Sequence, residues 1–212
     1  MTEWGTGFSP VDALEATEGG QRVEIELIGP NLRVRGSLSL GRFGRLSDRI
    51  NYSPGFVHVH DVRVLERNGD PTPLAVPELY VNPDDITFIA VPHVAPDAQP
   101  STATSDARPV QQKQPRRYLV FTPGHAIIGR IHVLSETTLL SFVETADPRF
   151  VPMTDVAARS LVDQHVESRF DLALLNRTQM IAVAEADGPS GRPEDPAAST
   201  GSPWDPATLP PS

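Results

Sequence analysis

A chain of 212 residues without a single cysteine excludes a disulfide framework, thiolate catalysis and cysteine-ligated zinc. Its formal net charge of -9 is concentrated at the ends: residues 1–21 hold 4 acidic side chains and no basic one, and residues 187–212 hold 4 against 1. Residues 22–93 (8 basic, 9 acidic) and 116–186 (7 basic, 8 acidic) are near neutral, so neither carries the basic footprint of a duplex-binding domain.

The first stretch, 1–21, reads as an acidic arm. Ser9-Pro10-Val11-Asp12 starts a short helix, because Ser caps, Pro fits the first position and Asp suits the positive helix end. Trp4 and Phe8 are expected to fold back onto the residues that follow. The arm has neither the basic nor the apolar region of a secretory leader, and no apolar run reaches the length of a membrane span. The expectation is a cytoplasmic protein without a membrane partner.

A first module occupies 22–93. Val23, Ile25 and Leu27 alternate with Glu24 and Glu26, the period-two pattern of a half-buried strand. Gly29-Pro30-Asn31 turns the chain into a second alternating strand through Val34 and Leu40, with Gly36 marking a bulge or bend. Leu46 and Ile50 lie four apart on one helical turn. Strands follow at 56–65, 79–82 and 86–91, and Asn82-Pro83-Asp84-Asp85 forms a tight helical turn capped by Asn82. Residues 94–115, rich in Pro, Ala, Ser, Thr and Gln, read as a disordered linker. A second module, 116–186, repeats the order, with Gly129 as the counterpart of Gly36. Residues 187–212 read as a disordered Pro-rich tail in which Trp204 is expected to be idle.

The two modules align without a gap over their centres. Leu46, Ser47, Pro54, Phe56, Val57, Asp61 and Val62 meet Leu140, Ser141, Pro148, Phe150, Val151, Asp155 and Val156, and Asn82 meets Asn176. The protein therefore reads as one small module made twice. Five short strands, a mid-strand Gly in the second and a helical turn before the third predict a mainly β protein of two tandem SH3-like or Sm-like small β-barrels.

Three segments carry a resemblance. Gly36 with residues 45–51, 56–62 and 81–86 resembles a family of uncharacterised bacterial small domains, with the pattern of a mid-strand Gly, then R-L-S-D-x-(L/I)-N, F-x-x-(V/L)-x-D-V and V-N-x-x-x-I. The second module keeps only Leu140 and Ser141 of the central motif. The resemblance implies an architecture and no reaction. A more distant likeness, in order and spacing only, is to Sm-like barrels, which assemble through their fourth and fifth strands; the likeness implies that the two modules could pair that way within one chain.

Comparison of the modules sorts the candidate residues. Asp61 and Asp155 recur and are read as acceptors of backbone N–H groups at a strand bend or bulge; Asn82 and Asn176 recur as turn caps. Arg45, Asp48 and Asn51 become Leu139, Phe142 and Thr145, so the fold does not need them, and they are the first candidates for partner binding. Arg45 and Asp48, three apart on the helical turn, have local ion pairing as their alternative role. Arg33 and Arg35 add basic surface to the first module, unless Glu24 and Glu26 neutralise them across the hairpin. His58 and His60 share a strand face, but two imidazoles are too few for a metal site and their counterparts are Pro152 and Thr154. No catalytic residue, metal ligand or cofactor is assigned. The expected function is non-catalytic binding or scaffolding of a protein partner through the first module. Single-stranded nucleic acid is the disfavoured alternative and an enzyme the third; homo-oligomerisation stays open.

Overall fold

The structure, a computed structural model, describes residues 21–52, 55–66, 69–92, 113–145, 147–163 and 165–186. The expectations for Trp4, Phe8, Trp204 and most of the linker lie outside them. The chain is mainly β. In order it forms β1 (Arg22–Ile28), β2 (Arg33–Ser39), α1 (Leu46–Tyr52), β3 (Val57–Leu65), β4 (Pro71–Val81), a 3-10 turn (Pro83–Asp85) and β5 (Phe88–Val91). The same order recurs as β6 (Lys113–Thr122), β7 (His125–Leu134), α2 (Leu139–Glu144), β8 (Phe150–Ser160), β9 (Glu167–Asn176), a second 3-10 turn (Arg177–Gln179) and β10 (Ala182–Glu185).

These ten strands make a single antiparallel sheet in the order β10-β6-β7-β8-β9-β5-β1-β2-β3-β4. The expected pair of tandem small barrels is not displayed as closed units: the sheet is not closed. Among the described residues β4 has no strand beyond it in the first half, because β5 pairs instead with β9 of the second half, Phe88 opposite Leu175 and Val91 opposite Leu172. Two expected boundaries also move. β6 begins at Lys113, inside the stretch read as linker, and Pro115 fits there because β10 covers only 118–121 of β6, leaving the proline on an open stretch of strand. β4 begins at Pro71 and not at Leu79; its three prolines, Pro71, Pro73 and Pro77, mask strand character but suit an edge.

Alternation in the strands builds two cores, and each core borrows from the opposite half. One holds Ile25, Leu27, Val34, Leu38, Val59, Val62, Ile86 and Ile89 of the first half together with Phe150 and Leu174 of the second. The other holds Tyr118, Val120, Ile127, Met153, Ala173 and Leu175 together with Ile28, Phe88 and Ala90. The joint between halves is therefore both a ladder of backbone bonds and a continuous apolar contact.

Both halves bend at the same place. In the first, pairing of β2 with β3 slips between Arg35 and Ser37; in the second, pairing of β7 with β8 slips between Ile128 and Arg130. Gly36 and Gly129 fall at the slips because a Cβ there would stand 2.6 Å from the His60 carbonyl oxygen, or 2.9 Å from that of Thr154. Asp61 and Asp155 take up the extra residue of each bulge with φ of 53° and 51°. The bulge is the one expected at these positions; what the carboxylates face is not. Asp tolerates the left-handed region better than most side chains, and among the described residues the carboxylates face Arg22 at 3.6 Å and Arg130 at 3.1 Å and not backbone N–H groups. Gly36→Ala should cost about 1–3 kcal/mol in urea denaturation, because the facing atom is backbone and cannot swing aside. Gly44→Ala, where a Cβ meets nothing within 4 Å, should stay within about 0.5 kcal/mol of the parent.

Candidate functional site

The joint between β5 and β9 shows what the repeated residues do when a neighbour is present. Phe150, the first residue of β8, is 1% exposed, and Leu174 on β9 is 1% exposed; both sit in the core of the first half. Asn51 at the end of α1 clasps the Phe150 backbone from both sides: its Nδ2 donates to the Phe150 carbonyl at 2.9 Å and its Oδ1 accepts from the Phe150 N–H at 2.8 Å. Asn176 works in the opposite direction. Its Oδ1 accepts from Thr178 N at 3.1 Å, capping the second 3-10 turn, while its Nδ2 donates to the carbonyls of Pro83 at 3.0 Å and Ile86 at 2.7 Å in the first. Gln179 donates to the Asp84 carbonyl at 2.6 Å, and Arg149 pairs with the Asp84 carboxylate. Each half thus presents one set of groups to its left and another to its right.

At the β4 edge the first set meets no strand among the described residues. Phe56 aligns with Phe150 and is 62% exposed; Tyr80 aligns with Leu174 and is 52% exposed. Asn82 caps its own turn, Oδ1 accepting from Asp84 N at 3.1 Å, just as Asn176 does. At the far edge β10 displays the second set. Ile86 and Ile89, both 0% exposed, align with Met180 and Val183, which are half-buried, and Ile181 is exposed.

Of the residues singled out by sequence, Asn51 and Asn176 lie in the joint and Arg33 reaches across it. Arg45 is exposed and Asp48 half-buried at the start of α1; no ion pair joins them, and Asp48 instead accepts from Ser47 Oγ at 3.3 Å. Arg33 and Arg35 both turn to Glu26, which is 1% exposed: Arg33 Nε donates to Oε1 at 2.6 Å and Arg35 NH2 to Oε2 at 2.9 Å. Arg33 also donates to Ser168 Oγ of the second half at 3.1 Å. Their charge is directed inward.

Sequence reasoning missed Glu78 and Tyr80. The register of β3 against β4 sets Glu78 opposite His60 and Tyr80 opposite His58, and register across a loop is not legible from periodicity. The tyrosine ring stacks on the His58 imidazole with centroids 4.2 Å apart and planes 8° apart. In the second half burial drives the two resolved proton affinities. It pushes the Tyr118 phenol up, helped by Glu185, and lowers the Arg177 guanidinium, which lies over the Phe142 ring at 4.3 Å.

Among the described residues no helix is long and apolar enough to cross a membrane. No protein-family model, curated protein or solved structure matches the chain.

Proposed function

We propose that the protein is a non-catalytic binding and scaffolding protein that acts through the open β4 edge of its first half, and that the partner at this edge is the β10 edge of a second copy. One observation carries the reading: Phe56 and Tyr80 are exposed at 62% and 52% where their counterparts in the internal joint, Phe150 and Leu174, are each 1% exposed. The tandem small-barrel description belongs to this proposal. It treats each half as a unit of five strands in the order β5-β1-β2-β3-β4 that leaves a gap for its neighbour.

The length of the available edge supports the match. Pro77 and the prolines before it cannot donate to a ladder, which confines strand addition on β4 to residues 78–81. β10 is four residues long, Ala182–Glu185. Placed as β5 lies on β9, it sets Ala182 against Val81 and Val183 against Tyr80. The pairing also sets Glu185 against Glu78, a like-charge contact that weakens the edge; Glu185 offsets this with Arg116 at 3.3 Å, and the Glu78 carboxylate lies 3.5 Å from a ring nitrogen of His58 and 3.8 Å from one of His60. The interface is heterologous, so copies add head to tail. Nucleic-acid binding is less well supported, since Arg33 and Arg35 engage Glu26.

Light scattering on the full chain over a concentration series tests the reading. Masses at multiples of 23.0 kDa are expected, falling to one chain for Phe56→Asp combined with Tyr80→Asp at an unchanged melting temperature. A parent chain that stays at one copy across the series would overturn the choice of partner.

A further inference from the structure

Two histidines on one strand face, His58 and His60, are a pair without a purpose until the neighbouring strand is added. Being two apart on β3, they project from the same side. The antiparallel register brings Glu78 of β4 across from His60. The carboxylate then lies between the rings: Oε2 is 3.5 Å from His58 Nε2, and Oε1 is 3.8 Å from His60 Nδ1. One ligand atom from each of the three residues falls within 4.8 Å of the others, and the imidazole centroids are 4.1 Å apart.

We propose that His58, His60 and Glu78 bind a divalent cation of the zinc class. Ligands about 2.0–2.2 Å from a tetrahedral metal stand roughly 3.4 Å from one another, so the two histidine–carboxylate separations of 3.5 and 3.8 Å need a few tenths of an ångström of closure, and the remaining one, within 4.8 Å, needs side-chain rotation. The donor set decides the class of ion. Two imidazole nitrogens and one carboxylate suit zinc, cobalt or nickel, whereas calcium and magnesium take shells of oxygen. Three protein ligands leave a fourth position for water or an incoming group.

The surroundings favour a held site. The His58 side chain is 7% exposed and that of His60 20%, while Glu78 at 53% gives access from solvent. Tyr80 stacked on the His58 ring fixes its plane, the orienting role that a neighbouring group plays beside many metal ligands. The cluster is not a requirement of the fold, because the aligned positions in the second half are Pro152, Thr154 and Leu172. Cation binding also places positive charge beside Glu78, the carboxylate on the open edge, but the site is complete within one chain and does not depend on assembly.

Isothermal titration calorimetry of zinc chloride into the chelator-treated full chain provides the test. Binding of one Zn2+ per chain is expected, with the affinity reduced at least tenfold in Glu78→Gln and in His60→Asn. His132→Asn, on an exposed position of β7, should leave it unchanged. Replacing zinc with Co2+ should give the visible absorption of a tetrahedral nitrogen and oxygen site, lost in His58→Gln. Glu78→Gln and His60→Asn are expected to keep the parent melting temperature without metal, so loss of binding reads the site and not the fold. No heat of binding, or binding that survives Glu78→Gln and His60→Asn undiminished, would overturn the proposal. Neither result bears on the light-scattering experiment.

Discussion

Phe150→Ala should lower the stability of the chain by about 3–5 kcal/mol, while Phe56→Ala should change that of the single chain by no more than about 0.5 kcal/mol. The two phenylalanines occupy aligned positions and enter the same kind of strand, so propensity cannot separate them. Surroundings can: Phe150 lies in the core of the opposite half, 1% exposed, and its backbone is held by Asn51 from both sides, whereas Phe56 faces solvent. Truncation at 150 removes buried apolar area and leaves a cavity between the halves; truncation at 56 leaves none. Urea denaturation of the two variants at low protein concentration measures the difference. Equal losses would mean that the joint contributes no more than a free edge.

The second large effect is electrostatic. Glu26 is buried on β1 and holds two arginines from β2, one nearly buried and one half in solvent: the Arg33 side chain is 12% exposed and that of Arg35 51%. Removing Arg33 as Arg33→Met strands much of a buried carboxylate, and the expected loss is about 3–5 kcal/mol. Arg35→Met should cost much less, because its contact is screened by water. Glu26→Leu combined with Arg33→Met should recover most of the loss of the single variant, since a well-packed apolar pair needs no partner charge. Denaturation of the three variants separates this account from one based on the lost packing of the Arg33 stem, under which the double variant would be no more stable than the single.

The strands of the first hairpin, the helical turn at Leu46 and Ile50, the Asn82 cap and the bulge glycines are all legible in the sequence, because each depends on residues a few positions apart. What was not legible depends on residues far apart. That β5 pairs with β9 is the joint the Sm-like likeness implies, strand five of one half against strand four of the other, but nothing local in the residues selects it over β4 of its own half. The roles of Asn51 and Asn176 illustrate the difference: capping by Asn176 could be read from the Pro-free turn it starts, but its reach to Pro83 and Ile86 could not. The recurrence of Asp61 in Asp155 marks the bulges, whereas their positive φ leaves no periodic signal and their carboxylates face arginines where backbone N–H groups are expected. Glu78 and Tyr80 were hidden by the prolines that make β4 read as loop. Once the register is known, the alignment of the halves becomes more informative, because a residue buried in one and exposed in the other marks where a neighbour is missing.

The pairing of β5 with β9 joins two parts of one polypeptide, and that sets its dependence on dilution apart from any joint between copies. Within a chain the two strands are held at a fixed effective concentration by the residues that connect them, so the contact carries no new loss of translational freedom. A copy docking at β4 forfeits that freedom each time, roughly 4–15 kcal/mol at the standard state. Contacts of the same kind therefore give a permanent joint inside the chain and a reversible one outside it, and dilution should part the copies while leaving all ten strands of each in place.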